Sequence, residues 1–312
     1  MISRSSYHNR DIDGIILVDK PTGLSSNELL QKVKRLFRAN KAGHTGSLDP
    51  IATGMFPICF GEATKFSQFL LNADKYYQVT ARFGKRTDTA DSEGRVIAVR
   101  QAAFSKLELE NALNQFRGKI TQIPSMFSAI KYRGQPLYKY ARHSVTVNRK
   151  ARSIQIYNIQ LHYWDLKQVE LEIHCSKGTY IRTIIDDLGE HLGCGAHVVA
   201  LRRLRVANYL SKDMISLGFL QTLVKIEKLK PLKQLDSLLL KLDSAVMNIP
   251  EVNLPPNTAN KIRFGQTIEV SKKLKIGLVR LTEGYERRFF GIGEIFALGY
   301  LSPRRLIKTT NK

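Results

Sequence analysis

The residues best suited to chemistry in this sequence lie in two glycine-containing segments that are far apart along the chain. Residues 43–50 read Gly-His-Thr-Gly-Ser-Leu-Asp-Pro and offer one imidazole, His44, and one carboxylate, Asp49. Residues 178–182 read Gly-Thr-Tyr-Ile-Arg and end on the cation of Arg182. A carboxylate can act as a nucleophile, but an Asp-Pro pair also starts turns, and an arginine near a helix start is often solvated. Spacing alone favours these structural interpretations.

Several familiar catalytic motifs are absent from the sequence. Residues 61–65, Gly-Glu-Ala-Thr-Lys, lack the adjacent Gly-Lys pair of a phosphate-binding loop. No Gly-x-Gly-x-x-Gly follows a predicted strand, and no His-x-Glu accompanies a Pro-Cys-x-x-Cys. The cysteines, Cys59, Cys175 and Cys194, are isolated from one another, so no zinc site is predicted. The sequence therefore disfavours nucleotide-driven and metal-dependent reactions.

The compartment is predicted from cysteine usage and from the absence of targeting segments. Isolated cysteines flanked by apolar or glycine residues are typical of reduced thiols in a cytosolic core. The first residues contain no apolar segment of a signal peptide, and no run approaches 18 apolar residues. We therefore expect a soluble, cytoplasmic protein that has no membrane partner.

The charge of the chain is strongly positive. Lys and Arg number 49 against 27 Asp and Glu, which gives a formal net charge of +22. Residues 251–312 hold 12 Lys and Arg against 5 Asp and Glu, so this part contributes +7 and the remainder contributes +15. Because both parts are basic, the pattern favours a long positive surface that meets a phosphate backbone. A basic surface without a specific partner is the alternative.

The elements that must position the two segments follow from hydrophobic patterns. Capping boxes at Ser25–Glu28 and Ser105–Glu108 predict the starts of two helices, and a third helix is expected after residue 180, ending at Gly193. Residues 43–54 are predicted to form a structured loop. Strands are predicted at residues 15–18, 77–83, 154–164 and 169–175. Strands and helices alternate irregularly, which favours an α+β fold with a large mixed or antiparallel sheet.

The C-terminal part has a different pattern. Residues 217–242 are rich in Leu and Lys and are predicted to be helical, and a proline-rich break at 249–256 marks a boundary. Short apolar runs at residues 266–270, 276–281, 289–292 and 294–298 are separated by glycines and predict a small β-rich module. The predicted domains are therefore residues 1–250 and 251–312. Residues 125–152, rich in Lys, Arg and Tyr, are a candidate RNA-contacting insertion within the first domain.

Taken together, these segments resemble the motifs of the bacterial TruB-type tRNA pseudouridine synthases, in the family's order from about residue 14 to 303. Besides residues 43–50 and 178–183, the matching motifs are residues 19–26 (Asp-Lys-Pro-Thr-Gly-Leu-Ser-Ser), 75–77 (Lys-Tyr-Tyr), 86–89 (Arg-Thr-Asp-Thr), 195–197 (Gly-Ala-His) and 201–204 (Leu-Arg-Arg-Leu). The last 60 or so residues resemble the small PUA-like RNA-binding module of this family through looser motifs. The resemblance implies a largely antiparallel pseudouridine-synthase domain followed by that module.

The resemblance also implies a reaction. Enzymes of this family convert uridine-55 in the T loop of tRNA to pseudouridine, after flipping the base out of the folded arm. The isomerisation consumes nothing, so no cofactor and no metal are expected. The expected partner is the T stem-loop of tRNA, and the absence of a coiled-coil or long amphipathic interface helix favours a monomer.

The same resemblance assigns roles to individual residues. Asp49 would be the covalent catalyst, with Arg182 as its ion-pair partner and Tyr77 stacked against the flipped uracil, where its hydroxyl could assist proton removal from C5. His44 would contact the displaced nucleotide. The pocket walls would be Tyr180 and Leu201, and the candidates for pocket support or phosphate contact are Lys20, Lys65 and the pair Arg202 and Arg203.

Two other functions remain open on the sequence. A guide-RNA-dependent pseudouridine synthase would share the aspartate loop but would need partner proteins. An RNA-binding module or tRNA-folding chaperone would use the same basic surface without chemistry, although it would have no need of the set Asp49, Tyr77 and Arg182. An RNA methyltransferase is disfavoured because no glycine-rich cofactor loop follows a strand.

Overall fold

The chain folds around two β-sheets. In this computed structural model, residues 9–226, 232–296 and 299–308 are described. The strands before residue 250 are β1 (Gly14–Lys20), β2 (Ala42–His44), β3 (Thr53–Phe60), β4 (Lys75–Phe83), β5 (Lys85–Thr87), β6 (Val96–Val99), β7 (Gly118–Gln122), β8 (Lys131–Tyr132), β9 (Gln135–Pro136), β10 (Arg152–Trp164), β11 (Gln168–Cys175), β12 (Ala196–Val206) and β13 (Ile215–Ser216).

Helices cover the large sheet and complete the C-terminal part. The helices before residue 250 are α1 (Ser26–Leu36), α2 (Ser67–Asn72), α3 (Lys106–Gln115), α4 (Leu137–Arg142), α5 (Ile181–His191), α6 (Leu217–Ile226) and α7 (Lys233–Ser237), with 3-10 turns at Gly61–Phe66, Ser211–Asp213 and Leu242–Val246. The C-terminal part contains β14 (Glu251–Leu254), α8 (Pro256–Arg263), β15 (Ile268–Glu269), β16 (Gly277–Glu283), β17 (Arg288–Phe296) and β18 (Tyr300–Leu306).

The large sheet has nine strands in the order β13-β1-β3-β12-β4-β11-β10-β7, with β2 paired to β3. Among the described residues of this sheet, only the β1–β13 and β3–β12 pairings are parallel. The other pairings are antiparallel. The second sheet has the order β14-β16-β17-β18-β15. The predicted α+β class, with a mixed and largely antiparallel sheet and a small C-terminal β-rich module, is confirmed.

Local sequence signals explain where the first helices begin. Both predicted capping boxes are present: the Ser25 and Ser105 hydroxyls accept from the backbone N–H groups of Glu28 and Glu108, whose carboxylates accept from the serine N–H groups in return. Each box satisfies two donors that a helix start leaves unpaired. The apolar stripe of α1 is then buried against the sheet at Leu29, Leu30 and Val33.

Strand β4 shows how the sheet presents its side chains. Its residues alternate between buried and less buried positions along its whole length. Successive side chains in a strand point to opposite faces, so Lys75, Tyr77 and Val79 face the core, whereas Tyr76 and Gln78 face the other side. This alternation places Tyr77 on the covered face of the sheet.

The C-terminal module packs directly against the back of the large sheet. Met55 and Cys59 of β3 share a buried cluster with Phe66 and with Ile292 of the module. The rings of Phe66 and Phe289 meet edge to face, with centroids 5.3 Å apart. The module therefore contributes to the core behind the strand that follows residues 43–50.

Three sequence predictions need correction. The predicted loop at 43–54 is shorter, because its ends pair as β2 and β3. The two apolar runs at 289–298 belong to one strand, β17, as far as residue 296; 297–298 lie outside the described residues. Gly293 lies inside this strand and pairs with Val279 of β16, at a position where a Cβ would come within 2.7 Å of the Leu301 side chain. The helical prediction for 217–242 is divided into α6, α7 and the start of a 3-10 turn, and residues 227–231 lie outside the described part.

Gly54 offers a test of how tightly β3 and β12 approach. It has a φ of +96°, and a Cβ there would collide with the carbonyl oxygen of Arg203. We expect Gly54→Ala to lower the free energy of unfolding by about 3 kcal/mol or more, from backbone strain and the collision together. Gly193→Ala is the matched control, because Gly193 has a φ of +77° with open space around it. Gly193→Ala should lower the free energy of unfolding by about 1 kcal/mol. Equal losses in urea unfolding would contradict the close approach.

Candidate active site

Residues 45–52 form the loop between β2 and β3, and this loop carries Asp49 to the start of α5. Arg182, the second residue of α5, donates from Nε to Oδ2 of Asp49 at 2.8 Å. The Asp49 side chain is 39% exposed, whereas the Arg182 side chain is 5% exposed. The fold therefore pairs the two predicted residues, with the cation buried and the carboxylate partly open.

The guanidinium of Arg182 is held on every side. Nη1 donates to the carbonyl of Thr89 at 2.6 Å and lies 3.3 Å from Oδ2 of Asp91, and Nη2 donates to the carbonyl of Phe127 at 2.9 Å. The Asp91 side chain is itself 5% exposed and accepts from the Thr89 hydroxyl at 2.6 Å. A planar fork with fixed partners has one orientation, so Nε is aimed at Asp49.

Asp91 is a site residue that the sequence reasoning missed. It follows the matched motif at 86–89 by two residues, and its carboxylate supplies a second negative charge beside the Arg182 cation. Burying a cation is costly unless it is paired. Asp91 provides that pairing without occupying the open side of Asp49. The available signal was a second aspartate next to a matched motif, but no local pattern links it to Arg182.

Arg203 hydrogen-bonds the backbone of the loop and of the strand after it. It is 1% exposed, and it donates from Nε to the carbonyl of Met55 at 2.7 Å and from Nη2 to the carbonyl of Gly46 at 3.2 Å. Nη1 lies 3.5 Å from the carbonyl of Ser47. These carbonyls belong to the loop and to the strand after it, so Arg203 fixes the loop's path rather than facing solvent.

Lys20 holds the same loop at its other end. It is fully buried, and its ammonium donates to the carbonyls of Ala52 at 2.6 Å and of Pro21 and Pro50 at 3.1 Å. Burial lowers the pKa of Lys20 to about 8, and the negative charge of Asp49 opposes that shift. The structure places Lys20 under the loop, where it supports the backbone around Asp49.

Tyr77 and Leu201 lie on neighbouring strands beside the ion pair. Tyr77 is 8% exposed and Leu201 is 6% exposed. Burial raises the pKa of Tyr77, while the nearby Arg203 cation lowers it and the Asp49 charge raises it further. The phenol is therefore protonated at neutral pH. Tyr77 is close enough to Asp49 for the carboxylate charge to act on its phenol, and Leu201 is buried in the same apolar core as Tyr77.

His44 and Tyr180 flank the site at the ends of the two segments. The His44 ring lies 5.2 Å from the ring of Phe56, and its Nδ1 is 3.4 Å from the N–H of Gly46. Burial and the charge of Arg203 lower the pKa of His44, so the imidazole is neutral at pH 7. Tyr180 is the N-cap residue of α5, and burial raises its pKa.

Lys65 and Arg202 are not brought to Asp49. Lys65 pairs with Glu62 at 2.6 Å and donates to the carbonyl of Leu306 at 2.9 Å, so it lies at the interface with the C-terminal module. Arg202 donates hydrogen bonds to both carboxylate oxygens of Asp19, at 2.8 and 3.0 Å. It lines a cleft of about 380 Å³ that Lys20, Thr53 and the start of α6 also line. Neither side chain contacts the ion pair.

Two further properties concern metals and membranes. Within the described residues, no group of three or more His, Cys, Asp or Glu side chains is arranged to hold a metal ion. In the same part of the chain, no helix has the length and apolar content needed to span a bilayer.

Comparison with known proteins identifies the class, which is that of the pseudouridine synthases. Residues 34–181 match the TruB family pseudouridylate synthase (N terminal domain), residues 182–247 match the tRNA pseudouridylate synthase B C-terminal domain, and residues 250–307 match the pseudouridine synthase II TruB C-terminal family. The chain belongs to the TruB family of pseudouridylate synthases. The resemblance inferred from the motifs is therefore confirmed.

Individual relatives agree with this assignment. The chain is 63% identical over 306 residues to tRNA pseudouridine synthase B of Sodalis glossinidius, covering 98% of both chains. It is 57% identical over 309 residues to tRNA pseudouridine synthase B of Yersinia pestis, covering 98% of this chain and 95% of the other. Among solved structures, a chain of a Cbf5-Nop10-Gar1 complex shares the fold with a TM-score of 0.72 at 22% identity, covering 95% of this chain and 84% of the other.

The buried charge of Lys20 predicts a pH dependence of stability. Its pKa is about 8 in the fold and 10.5 in the unfolded chain, so the unfolded chain binds more protons between these values. Lys20 therefore stabilises the fold progressively as the pH rises from 8 to 10.5. Over that range we expect wild type to gain about 3 kcal/mol of unfolding free energy relative to Lys20→Met.

Urea unfolding at a series of pH values measures this difference. Lys212→Met, at an exposed position, controls for the loss of one positive charge. Below pH 8 the difference in unfolding free energy between wild type and Lys20→Met should be constant. A difference that stays constant up to pH 10.5 would contradict a buried ammonium under the loop.

Proposed function

We propose that this chain isomerises uridine-55 in the T loop of tRNA to pseudouridine, with Asp49 as the covalent nucleophile. Relatives at 55–63% identity across nearly the whole chain are named tRNA pseudouridine synthase B, which supports tRNA as the substrate. The observation that carries the proposal is the pairing of a partly open Asp49 carboxylate with a buried and fully held Arg182.

The geometry suits a carboxylate that forms a covalent bond and then leaves. Pseudouridine formation breaks the bond between N1 of uracil and C1′ of ribose, rotates the base, and joins C5 to C1′; C5 loses a proton and N1 gains one. Within the described residues, the hydrogen bond to the Asp49 carboxylate comes from Arg182 and reaches Oδ2. Oδ1 is thereby left available to attack. The cation also keeps the carboxylate ionised and aimed.

The pocket walls support a role in binding the flipped base. Tyr77, Leu201 and Tyr180 offer two rings and an apolar surface next to Asp49, and such walls exclude water from the nucleophile. A raised pKa makes the phenolate of Tyr77 scarce at neutral pH, so we assign Tyr77 to stacking and hydrogen bonding in its protonated form. His44, neutral at pH 7, would contact the displaced nucleotide as a hydrogen-bonding group rather than as a cation.

RNA contacts are proposed for two parts of the surface. Residues 125–152 include the β8–β9 hairpin and α4, where Arg133 lies over the ring of Tyr132 and Arg142 over the ring of Tyr138, each at 5.4 Å. Arginine and tyrosine side chains together bind phosphates and stack on bases. We assign residues 1–250 to the catalytic domain and residues 251–312, with a charge of +7, to an RNA-binding module.

The proposed enzyme acts alone. The isomerisation consumes nothing, so it needs no cofactor, and we propose that a cytoplasmic monomer carries it out on tRNA. The likeness to the chain in the Cbf5-Nop10-Gar1 complex is one of fold at 22% identity. A guide-RNA-dependent synthase or a tRNA-folding chaperone therefore remains as an outcome of the test and not as the proposal.

Tritium release from a T-arm stem-loop RNA that carries C5-labelled uridine tests the proposal. Wild type should release tritium in the presence of EDTA, since no metal takes part. Asp49→Asn should lower the single-turnover rate by at least about a thousandfold, because an amide is not a nucleophile of comparable strength. Its RNA affinity should stay within about threefold of wild type.

Asp213→Asn is the control for charge, because Asp213 lies at an exposed position. Its single-turnover rate and its RNA affinity should match those of wild type. Tight RNA binding by wild type without tritium release would contradict a stand-alone synthase and favour the guided or chaperone function. Full activity of Asp49→Asn would contradict the role of Asp49.

A further inference from the structure

The helix that carries Arg182 begins differently from two other helices of the same domain. Helices α1 and α3 each close their first turn with a local capping box, Ser25 with Glu28 and Ser105 with Glu108. Helix α5 begins at Tyr180, whose side chain makes no capping hydrogen bond. Its third helical residue is Thr183, which is too short to return to the N-cap N–H as a glutamate does. The start of α5 therefore lacks a local cap.

A distant side chain binds the backbone of the N-cap residue instead. Gln122, the last residue of β7, accepts from the N–H of Tyr180 at 2.9 Å through Oε1 and donates to the carbonyl of Tyr180 at 3.0 Å through Nε2. Tyr180 is extended, with φ −99° and ψ 104°. In an extended residue the N–H and C=O point to the same side, which is how antiparallel strands exchange both bonds. The amide of Gln122 replaces such a strand partner, and Gln122 is 3% exposed.

The two hydrogen bonds between Gln122 and the backbone of Tyr180, here called the clamp, lie two residues before Arg182, the cation that orients Asp49. Arg182 is the second residue of α5, so a shift in the backbone of the N-cap residue Tyr180 moves the Cα of Arg182. The guanidinium is held by fixed carbonyls on one side and by Asp49 on the other. A displaced Cα cannot satisfy both sets of contacts at once.

We propose that Gln122 is a positioning residue for the reaction, acting through the backbone of Tyr180 to hold Arg182 against Asp49. This inference rests on the proposed function for its kinetic consequence. Gln122 also pairs with Arg152 across β7 and β10, at the root of residues 123–151. The clamp thus fixes α5 to the rigid base of that segment.

Gln122→Met tests the proposal, because it keeps the length of the side chain and removes both hydrogen bonds. We expect a 10- to 100-fold lower single-turnover rate on the labelled T-arm RNA, at about the same RNA affinity. Gln122→Glu keeps the acceptor for the Tyr180 N–H and loses the donor, so its rate should be intermediate. Ser176→Ala is the control: Ser176 lies in the loop before α5, and its hydroxyl accepts from the N–H of Gln155 in β10 at 2.9 Å, so the change removes a hydrogen bond of this loop other than those to Tyr180.

A double-mutant cycle separates positioning from a general effect on folding. If Gln122 acts through Arg182, the rate of Gln122→Met combined with Arg182→Lys should be close to that of Arg182→Lys alone. If the fold losses in rate of the two single variants multiply in the double variant, or if Gln122→Met has the wild-type rate, the proposal is overturned.

A readout that does not depend on activity distinguishes this inference from the proposed function. The Arg182 Nε–H should give an NMR resonance that exchanges slowly with solvent in wild type and Ser176→Ala, and rapidly in Gln122→Met. Equal protection in Gln122→Met would overturn the clamp. If wild type released no tritium, the proposed function would fail, while this resonance would still decide the role of Gln122.

Discussion

Burial of the Arg182 guanidinium is the constraint on which the rest of the site depends. A buried cation is tolerated only when its charge is paired and its N–H groups are hydrogen-bonded. Arg182 meets this requirement with partners from three places: Asp49 in the loop after β2, Thr89 and Asp91 in the turn after β5, and Phe127 in the segment after β7. These parts are distant in sequence, so the sheet must bring them together for the cation to be buried at all.

Buried cations also bind the backbone of residues 45–52, the loop that carries Asp49. A loop inside a protein exposes backbone carbonyls that need donors, and Lys20 and Arg203 provide them from opposite sides. Two buried cations thereby stabilise a loop whose one carboxylate remains partly open. Because these donors bind the backbone carbonyls of the loop, the loop is fixed without using the Asp49 carboxylate. The C-terminal module adds to this rigidity by packing behind β3.

The sequence predicts local features well and long-range partners poorly. The capping boxes of α1 and α3 and the alternation of β4 depend on neighbouring residues, so their patterns are visible in the chain. Spacing alone favoured a turn at Asp49, and its pairing with Arg182 came from the family resemblance. Asp91 and Gln122 were missed because their partners lie far away in sequence. Lys65, a candidate for pocket support or phosphate contact, lies at the interface with the C-terminal module, where it binds Glu62 and the carbonyl of Leu306.

The most direct test of this account is the single-turnover rate of Arg182→Lys on the T-arm RNA, measured together with RNA affinity. A lysine keeps the charge but offers one point donor in place of a planar fork. We expect a rate at least about a hundredfold lower with RNA affinity within about threefold of wild type, since only the aim of Asp49 is lost. A rate close to that of wild type would show that charge alone is sufficient, and would contradict the central role of the held guanidinium.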